Sequence, residues 1–341
     1  MALPVFTVES FTFNTPPSLD GKPPLKMAAK RYTNSCQSRD GVTVLLAHSI
    51  GTHKEHWEPM LHNLFEAQSN KSPSHRIREA WAFDWQTHGD SAVLNSNALK
   101  SRPDGVSITE WARALVAFVN SKHAVLRRLV VIGHAGGAST WMYSTKFFPF
   151  RIPYLTVILV EPKLIHLDAF DNSIQGQGDF DGWFPEATTT RRGSWSSKKD
   201  ASRYLGGHFP WNAWDTRVLR IHVDQGLHTD PLNGDVVPKC DKVYEDASYL
   251  DYEAISDATD QIAKVYGNVH IHIIYGELND SVPRYLQASP VNKSQGLKVA
   301  SIVRVPGAGH MLPQEAPDAL ARCISNLLDN SFKDSILGYR L

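Results

Sequence analysis

The residues Gly133-His134-Ala135-Gly136-Gly137 follow an apolar, β-branched run and lead into a stretch of small residues. This is the outline of G-x-S-x-G, a strained strand-to-helix turn that lifts one nucleophilic side chain above a sheet. Glycines are required there because the turn is tight and backbone passes close by. The nucleophile position is Ala135, and a methyl group cannot attack a carbonyl. Two further parts of an acyl-transfer site follow in order. His310, in Gly307-Ala308-Gly309-His310, sits in a Gly-rich loop after the last apolar run, where a histidine can lean over the turn as general base. The acid that orients it must fall between 135 and 310. Glu161 ends the run Ile158-Leu159-Val160, and a carboxylate at the end of an apolar strand is expensive unless paired. Asp280 is the alternative, but the usual spacing puts Asn279 where the acid belongs. The reading favours Glu161. Oxyanion donors are assigned to the N–H groups of Ile50, in Ala47-His48-Ser49-Ile50-Gly51, and of Gly136.

Such groups must be held at strand ends. Residues 42–48 and 78–85 read as short buried parallel strands, as do 129–134, 155–160, 269–275 and 298–305. Residues 5–13 and 25–33 alternate like two strands joined by a Pro/Gly/Asp-rich turn. A helix is predicted over 108–121, with Ser107 as N-cap and Leu115, Phe118 and Val119 on its apolar side. A second follows the Gly-rich turn to about 148, and a third covers about 314–328. Between 163 and 266, clusters of Trp, Phe, Tyr, His and Gly replace the clean alternation. The pattern is an α/β fold: a parallel core from 1–162 and 267–341, with 163–266 inserted as a cap. In Phe83-Asp84-Trp85-Gln86-Thr87-His88-Gly89, Asp84 and Gly89 read as turn residues and His88 as a brace for its loop.

Composition narrows the class. The chain has 341 residues, 42% of them hydrophobic, with Lys+Arg and Asp+Glu equal at 35 each. A balanced charge gives no reason to expect nucleic acid as a partner. No run reaches the roughly 18 apolar residues of a membrane span. Cys36, Cys240 and Cys323 form neither a disulfide framework nor a zinc pattern. The first residues lack the basic start and apolar core of a secretory signal. A reducing, cytoplasmic setting is expected. Tyr339-Arg340-Leu341 is an imperfect version of a small-basic-leucine peroxisomal address, so peroxisomal import is the alternative.

In order and motifs the chain resembles the α/β-hydrolases over nearly its whole length. More narrowly, His53-Lys54-Glu55 with Trp57 and Pro59, Glu161-Pro162, and Gly226-Leu227 with Lys239-Cys240 resemble a fungal branch of toxin-biosynthesis hydrolases and a peroxisomal lipase. The resemblance implies eight mostly parallel strands, a serine nucleophile, no cofactor, and an ester, lactone or thioester as substrate. Some fungal lactone hydrolases of this fold take the acid from the sixth strand, which by analogy points to Glu161.

Ala135 then has two explanations. In the first, which the intact surroundings favour, a serine nucleophile has been replaced, most simply by engineering. In the second, the chain is a natural pseudo-hydrolase that uses its pocket for binding or for non-covalent chemistry such as cyclisation or elimination. An aspartate nucleophile in the parent is a weaker variant of the first. Phe180, Trp183, Phe184, Trp195, Phe209, Trp211, Trp214 and Tyr252 build the cap's own small core and collectively an apolar pocket wall. His134, Trp183, Trp211 and Trp214 are the candidate substrate contacts, suited to a bulky polyketide or acyl group from secondary metabolism. His208, His222 and His228 have spacings that resemble no metal site. No metal is expected, and the protein is a monomer or homodimer.

Overall fold

Strands buried on both faces need helices on both faces, and the alternation along each strand shows which helices they meet. The computed structural model of the protein describes residues 6–18, 20–34, 38–165, 191–278 and 287–338. Its strands are β1 (Thr7–Asn14), β2 (Lys26–Thr33), β3 (Val42–Ala47), β4 (Ile77–Phe83), β5 (Arg128–His134), β6 (Tyr154–Val160), β7 (Leu227–Thr229), β8 (Val236–Pro238), β9 (His270–Gly276) and β10 (Ser301–Val305). Eight of them form one sheet in the order β1-β2-β4-β3-β5-β6-β9-β10, and β7 and β8 make a separate ribbon. β2 runs antiparallel to β1 and β4. Every other pairing in the large sheet is parallel.

The helices that matter here are α1 (Glu58–Gln68), α2 (Ile108–Val119), α3 (Gly136–Ser144), α4 (Tyr252–Val265) and α5 (Pro317–Gly338). On one face Leu45, Val131, Leu159 and Ile273 pack with Trp111 and Leu115 of α2, Trp141 of α3 and Ile262 of α4. On the other, Val44, Val130, Ile158 and Ile274 pack with Met60 and Leu64 of α1 and with Leu320 and Ile324 of α5. Neighbours in sequence thus feed opposite cores. A third cluster, of Trp195, Ala201, Leu205, Trp211, Trp214, Val218, Val223, Leu227 and Val236, lies within the inserted segment.

Local signals account for the boundaries. Ser107 opens α2 with a complete capping box: its hydroxyl accepts from the Glu110 N–H at 3.1 Å, and the Glu110 carboxylate accepts from the Ser107 N–H at 3.3 Å. The C-terminal helix differs from expectation. Leu312–Glu315 is a separate turn and α5 begins at Pro317, because the residue before a proline is pushed out of the α region; Ala316 has φ −136° and ψ 56°. Helix α4 falls in the stretch assigned to the cap by composition, yet Ile255, Ala258 and Ile262 are buried in the main core and α4 packs on α3. Its amphipathic pattern belongs with the sheet.

Candidate active site

Ala135 stands between β5 and α3 with φ 46° and ψ −107°. A positive φ at a residue bearing a Cβ costs on the order of 1–3 kcal/mol, and it persists only where the surroundings enforce it. The flanking glycines are what enforce it. A methyl at Gly133 would run into the Gly137 carbonyl and Ala138 backbone, and one at Gly137 into the Ala47 carbonyl. The turn therefore lies directly against the end of β3. A Cβ at Gly136 would sit 3.3 Å from Ile50 Cγ1, so the Ile50 side chain packs against the start of α3. Gly136 is the first residue of α3, where an N–H has no intrahelical acceptor and the helix dipole favours negative charge.

The loop carrying Ile50 is pinned from several sides. The Trp85 N–H donates to His48 Nε2 at 3.0 Å, while His48 Nδ1 lies 2.7 Å from the Ser49 carbonyl, which fixes the proton on Nδ1. Burial pushes the His48 pKa down to about 3. The Gly51 N–H donates to His88 Nε2 at 3.1 Å, so His88 braces the loop that carries Ile50. Below it Lys54, 2% exposed, has Nζ at 2.8 Å from Asp84 Oδ2, 2.7 Å from Asp90 Oδ2 and 2.9 Å from Glu55 Oε1. Burial works against that charge, but Asp84, Glu55 and Asp90 outweigh it and hold the Lys54 pKa above the ordinary lysine value. Asp84, read from sequence as a turn residue, also accepts the Lys54 and Asp90 N–H groups at 3.0 and 2.8 Å. A methyl at Gly89 would collide with its carboxylate.

His310 and Glu161 meet. Glu161 is 2% exposed, follows β6 with φ 47°, and has Oε2 at 3.2 Å from His310 Nδ1. Its other oxygen accepts the Gly276 N–H at the end of β9. The His310 loop is clamped by Glu315, which accepts from the N–H of Gly309 at 2.6 Å and of Met311 at 3.2 Å. His134 Nε2 holds the His310 carbonyl at 2.9 Å. The Glu161 carboxylate thus fixes the Nδ1 side of the His310 ring.

The other expected residues are placed differently. His134 is fully buried against His310, and burial pushes its pKa down to about 3; its contact is with the His310 loop. Trp211 and Trp214 are 9% and 6% exposed and sit in the insertion's own core, because their rings are its largest apolar groups. The cavity that Trp211 borders is lined by His53, His222 and Gly226, at a distance from the strained turn in sequence and apart from Ala135 and His310 in its lining. Trp183, Asp280 and Tyr339-Arg340-Leu341 lie outside the described residues. Glu315, Gly276 and the Lys54–Asp84 pair were not singled out from sequence. They act through backbone N–H groups and a buried ion pair, for which spacing carries no signal.

The fold and this strand-turn-helix define an α/β-hydrolase scaffold. A model of the alpha/beta hydrolase family matches residues 44–323, and the chain belongs to that family. Type I acyl-CoA thioesterase mpaH of Penicillium roqueforti is 26% identical over 203 residues, which take in 57% of this chain and 42% of that one. The chain thus matches less than half the length of that relative. The peroxisomal α/β-hydrolase Lpx1 of Saccharomyces cerevisiae has a similar structure, with a TM-score of 0.74 at 18% identity, covering 96% of this chain and 90% of that one. The Mycobacterium tuberculosis esterase Rv0045c gives 0.65 at 16% identity, over 96% and 93%. Among the described residues no helix is long and apolar enough to cross a membrane.

Proposed function

We propose that this chain carries the acyl-transfer apparatus of an ester, lactone or thioester hydrolase in which the nucleophile position is occupied by alanine. The observation that carries the reading is Ala135 held at φ 46° beside Gly136 and Ile50, with the Glu161–His310 pair engaged. Nothing about alanine favours that strained conformation, whereas a nucleophile there gains exposure and alignment. With serine at 135, its Oγ attacks the acyl carbon while His310 Nε2 takes the proton. Glu161 holds the imidazole tautomer and stabilises the imidazolium, and the Ile50 and Gly136 N–H groups receive the oxyanion. His310 gives that proton to the leaving group, then takes one from the water that attacks the acyl carbon and returns it to the serine Oγ as the acid departs.

A bulky acyl or polyketide-like substrate of secondary metabolism, reaching the site under a cap from 163–266, fits the aromatic insertion. The thioesterase relative and the thioester chemistry of such acyl groups support a thioester as the bond cleaved. As it stands, the chain has no covalent route and retains only binding and oxyanion stabilisation. That is worth roughly 10³–10⁴-fold over water. The second reading, a pseudo-hydrolase acting by proton transfer alone, draws on the Glu161–His310 pair being intact without a nucleophile.

The test is fluorophosphonate labelling and aryl-ester and acyl-thioester turnover by Ala135→Ser beside the unaltered chain. Labelling and hydrolysis by the variant alone support the hydrolase reading. A folded variant that stays unlabelled and inert rejects it.

A further inference from the structure

His53 and His56 lie on the oxyanion loop and its 3₁₀ turn, and His222 opens a single π-helical turn, His222–Gly226, in the insertion. The fold brings one nitrogen of each to within 4.8 Å of the other two. We propose that these three histidines form a binding site for a divalent transition metal of the zinc type, which ties the insertion to the oxyanion loop.

Four features of the cluster carry this. First, His53 is 2% exposed, and its Nε2 is buried with no hydrogen-bond partner. An aromatic nitrogen that is buried and left unpaired by the protein is costly unless something else satisfies it. Second, its Nδ1 lies 2.7 Å from Glu55 Oε2. A carboxylate on the far nitrogen fixes the proton at Nδ1 and turns the Nε2 lone pair outward, as outer partners of metal-bound histidines do. Glu55 is itself held by Lys54 at 2.9 Å and Lys30 at 3.2 Å.

Third, His56 Nε2 and His222 Nδ1 are 3.2 Å apart. Two nitrogens on one tetrahedral ion at ~2.05 Å are about 3.3 Å apart, so this pair already has the bite of a chelate. His56 Nδ1 faces the Gln314 amide at 3.2 Å, and Gln314 Oε1 is buried without a partner. Turning the amide over lets that oxygen accept the Nδ1–H of His56, satisfying both and freeing Nε2 as a ligand.

Fourth, Gly226 keeps the space between the rings open. A Cβ there would sit 2.9 Å from His53 Nε2 and 3.1 Å from His222 Nδ1. Its conformation does not demand glycine; the place where a methyl would go is the place where the nitrogens converge. The adjoining cavity of ≈ 30 Å³, lined by Thr52, His53, His222, Gly226, Cys240 and Glu245 among others, has room for a water as fourth ligand. Three imidazoles with one open position suit Zn²⁺, Co²⁺, Ni²⁺ or Cu²⁺ rather than Mg²⁺ or Ca²⁺.

The experiment uses the untagged full chain after dialysis against chelator, titrated with Zn²⁺ in competition with a chromophoric chelator and with Co²⁺ followed by visible absorption. Expected are one Zn²⁺ per chain, intense Co²⁺ bands of four-coordinate geometry, and a thermal midpoint that rises with Zn²⁺. His222→Gln, which keeps a hydrogen-bonding side chain, should weaken binding at least tenfold, as should Gly226→Ala, which keeps all three imidazoles and adds only a methyl. Circular dichroism checks that each variant is folded, and if one fails to fold the other decides. No stoichiometric binding by the unaltered chain, or equal affinity and equal Co²⁺ spectra in a folded variant, overturns the proposal. The readout is metal binding alone, so it is independent of what residue 135 can do.

Discussion

Glu161 and His310 are 149 residues apart in the chain, and their Oε2 and Nδ1 atoms are 3.2 Å apart in the fold. The carboxylate is fixed by the Gly276 N–H on its other oxygen, so it offers one lone pair in one direction. In an Ala135→Ser background, Glu161→Gln keeps the shape of the pair but presents an amide to Nδ1, favouring the wrong tautomer. Turnover of an acyl thioester should fall by about 10⁴. Asp280→Asn in the same background should change it little. Steady-state kinetics on the two variants decide which acid serves the base, and a large loss from Asp280→Asn alone would reverse the assignment.

Glu315 should matter without touching substrate. It accepts from the N–H groups on both sides of His310, and its loss frees the loop to drift. In the Ala135→Ser background Glu315→Ala should lower kcat by about 10²-fold, the effect of a displacement near 1 Å. KM should change less than kcat, and Glu315→Gln should recover part of the loss because its amide oxygen can still accept one of the two N–H groups. A uniform rise in KM would instead mark a structural effect on the pocket.

The strands and the order of their terminal loops were legible because apolar period and glycine punctuation are local signals. The turn at 133–137 was readable for the same reason: Gly133 and Gly137 are demanded by backbone contacts within the motif and with β3. Glu161 stood out as a carboxylate stranded at the end of an apolar strand, and the fold sets it beside His310. What spacing does not encode is contact across the insertion. His56 and His222 are 166 residues apart. Taken with His208 and His228, which share its segment, His222 fits no ligand pattern; its partners come from the loop after β3. Trp211 and Trp214 lie in the insertion's small core and Trp211 also borders a cavity, so aromatic richness alone does not distinguish a pocket wall from a small core. Helix α4 shows another limit: composition set the cap's edge at 266, whereas Ala254, Ile255, Ala258 and Ile262 of α4 already pack in the main core.

Lys54→Met should be among the most damaging substitutions away from the turn. It removes the cation that Asp84, Glu55 and Asp90 share and leaves buried carboxylates uncompensated. A loss of about 3–5 kcal/mol is expected. Urea denaturation of the unaltered chain and the variant measures it; a loss below ~1 kcal/mol would mean that water or Lys239, 2.6 Å from Asp90 Oδ1, takes over the role.

Acid should destabilise the fold through its buried histidines before most carboxylates titrate. His48 and His134 each have a folded pKa near 3, against an ordinary value of 6.5, because burial disfavours the imidazolium. Below pH 6.5 the unfolded chain therefore binds more protons at these positions than the folded one. Stability must fall as pH falls, through the window from about 6.5 down to about 3. At pH 5 the gap is about 1.5 pH units per group, or about 2 kcal/mol each at 1.36 kcal/mol per unit. His56, His88 and His222 are shifted in the same direction, with burial the leading cause for each, and add to the slope. Urea midpoints at pH 7 and pH 5 should differ accordingly, and His48→Gln should reduce the difference by about one group's share, because glutamine can still accept the Trp85 N–H without taking a proton. A stability that is flat from pH 7 to pH 5 would mean that these rings accept protons in the folded state, and that the bracing assigned to neutral His48 and His134 is wrong.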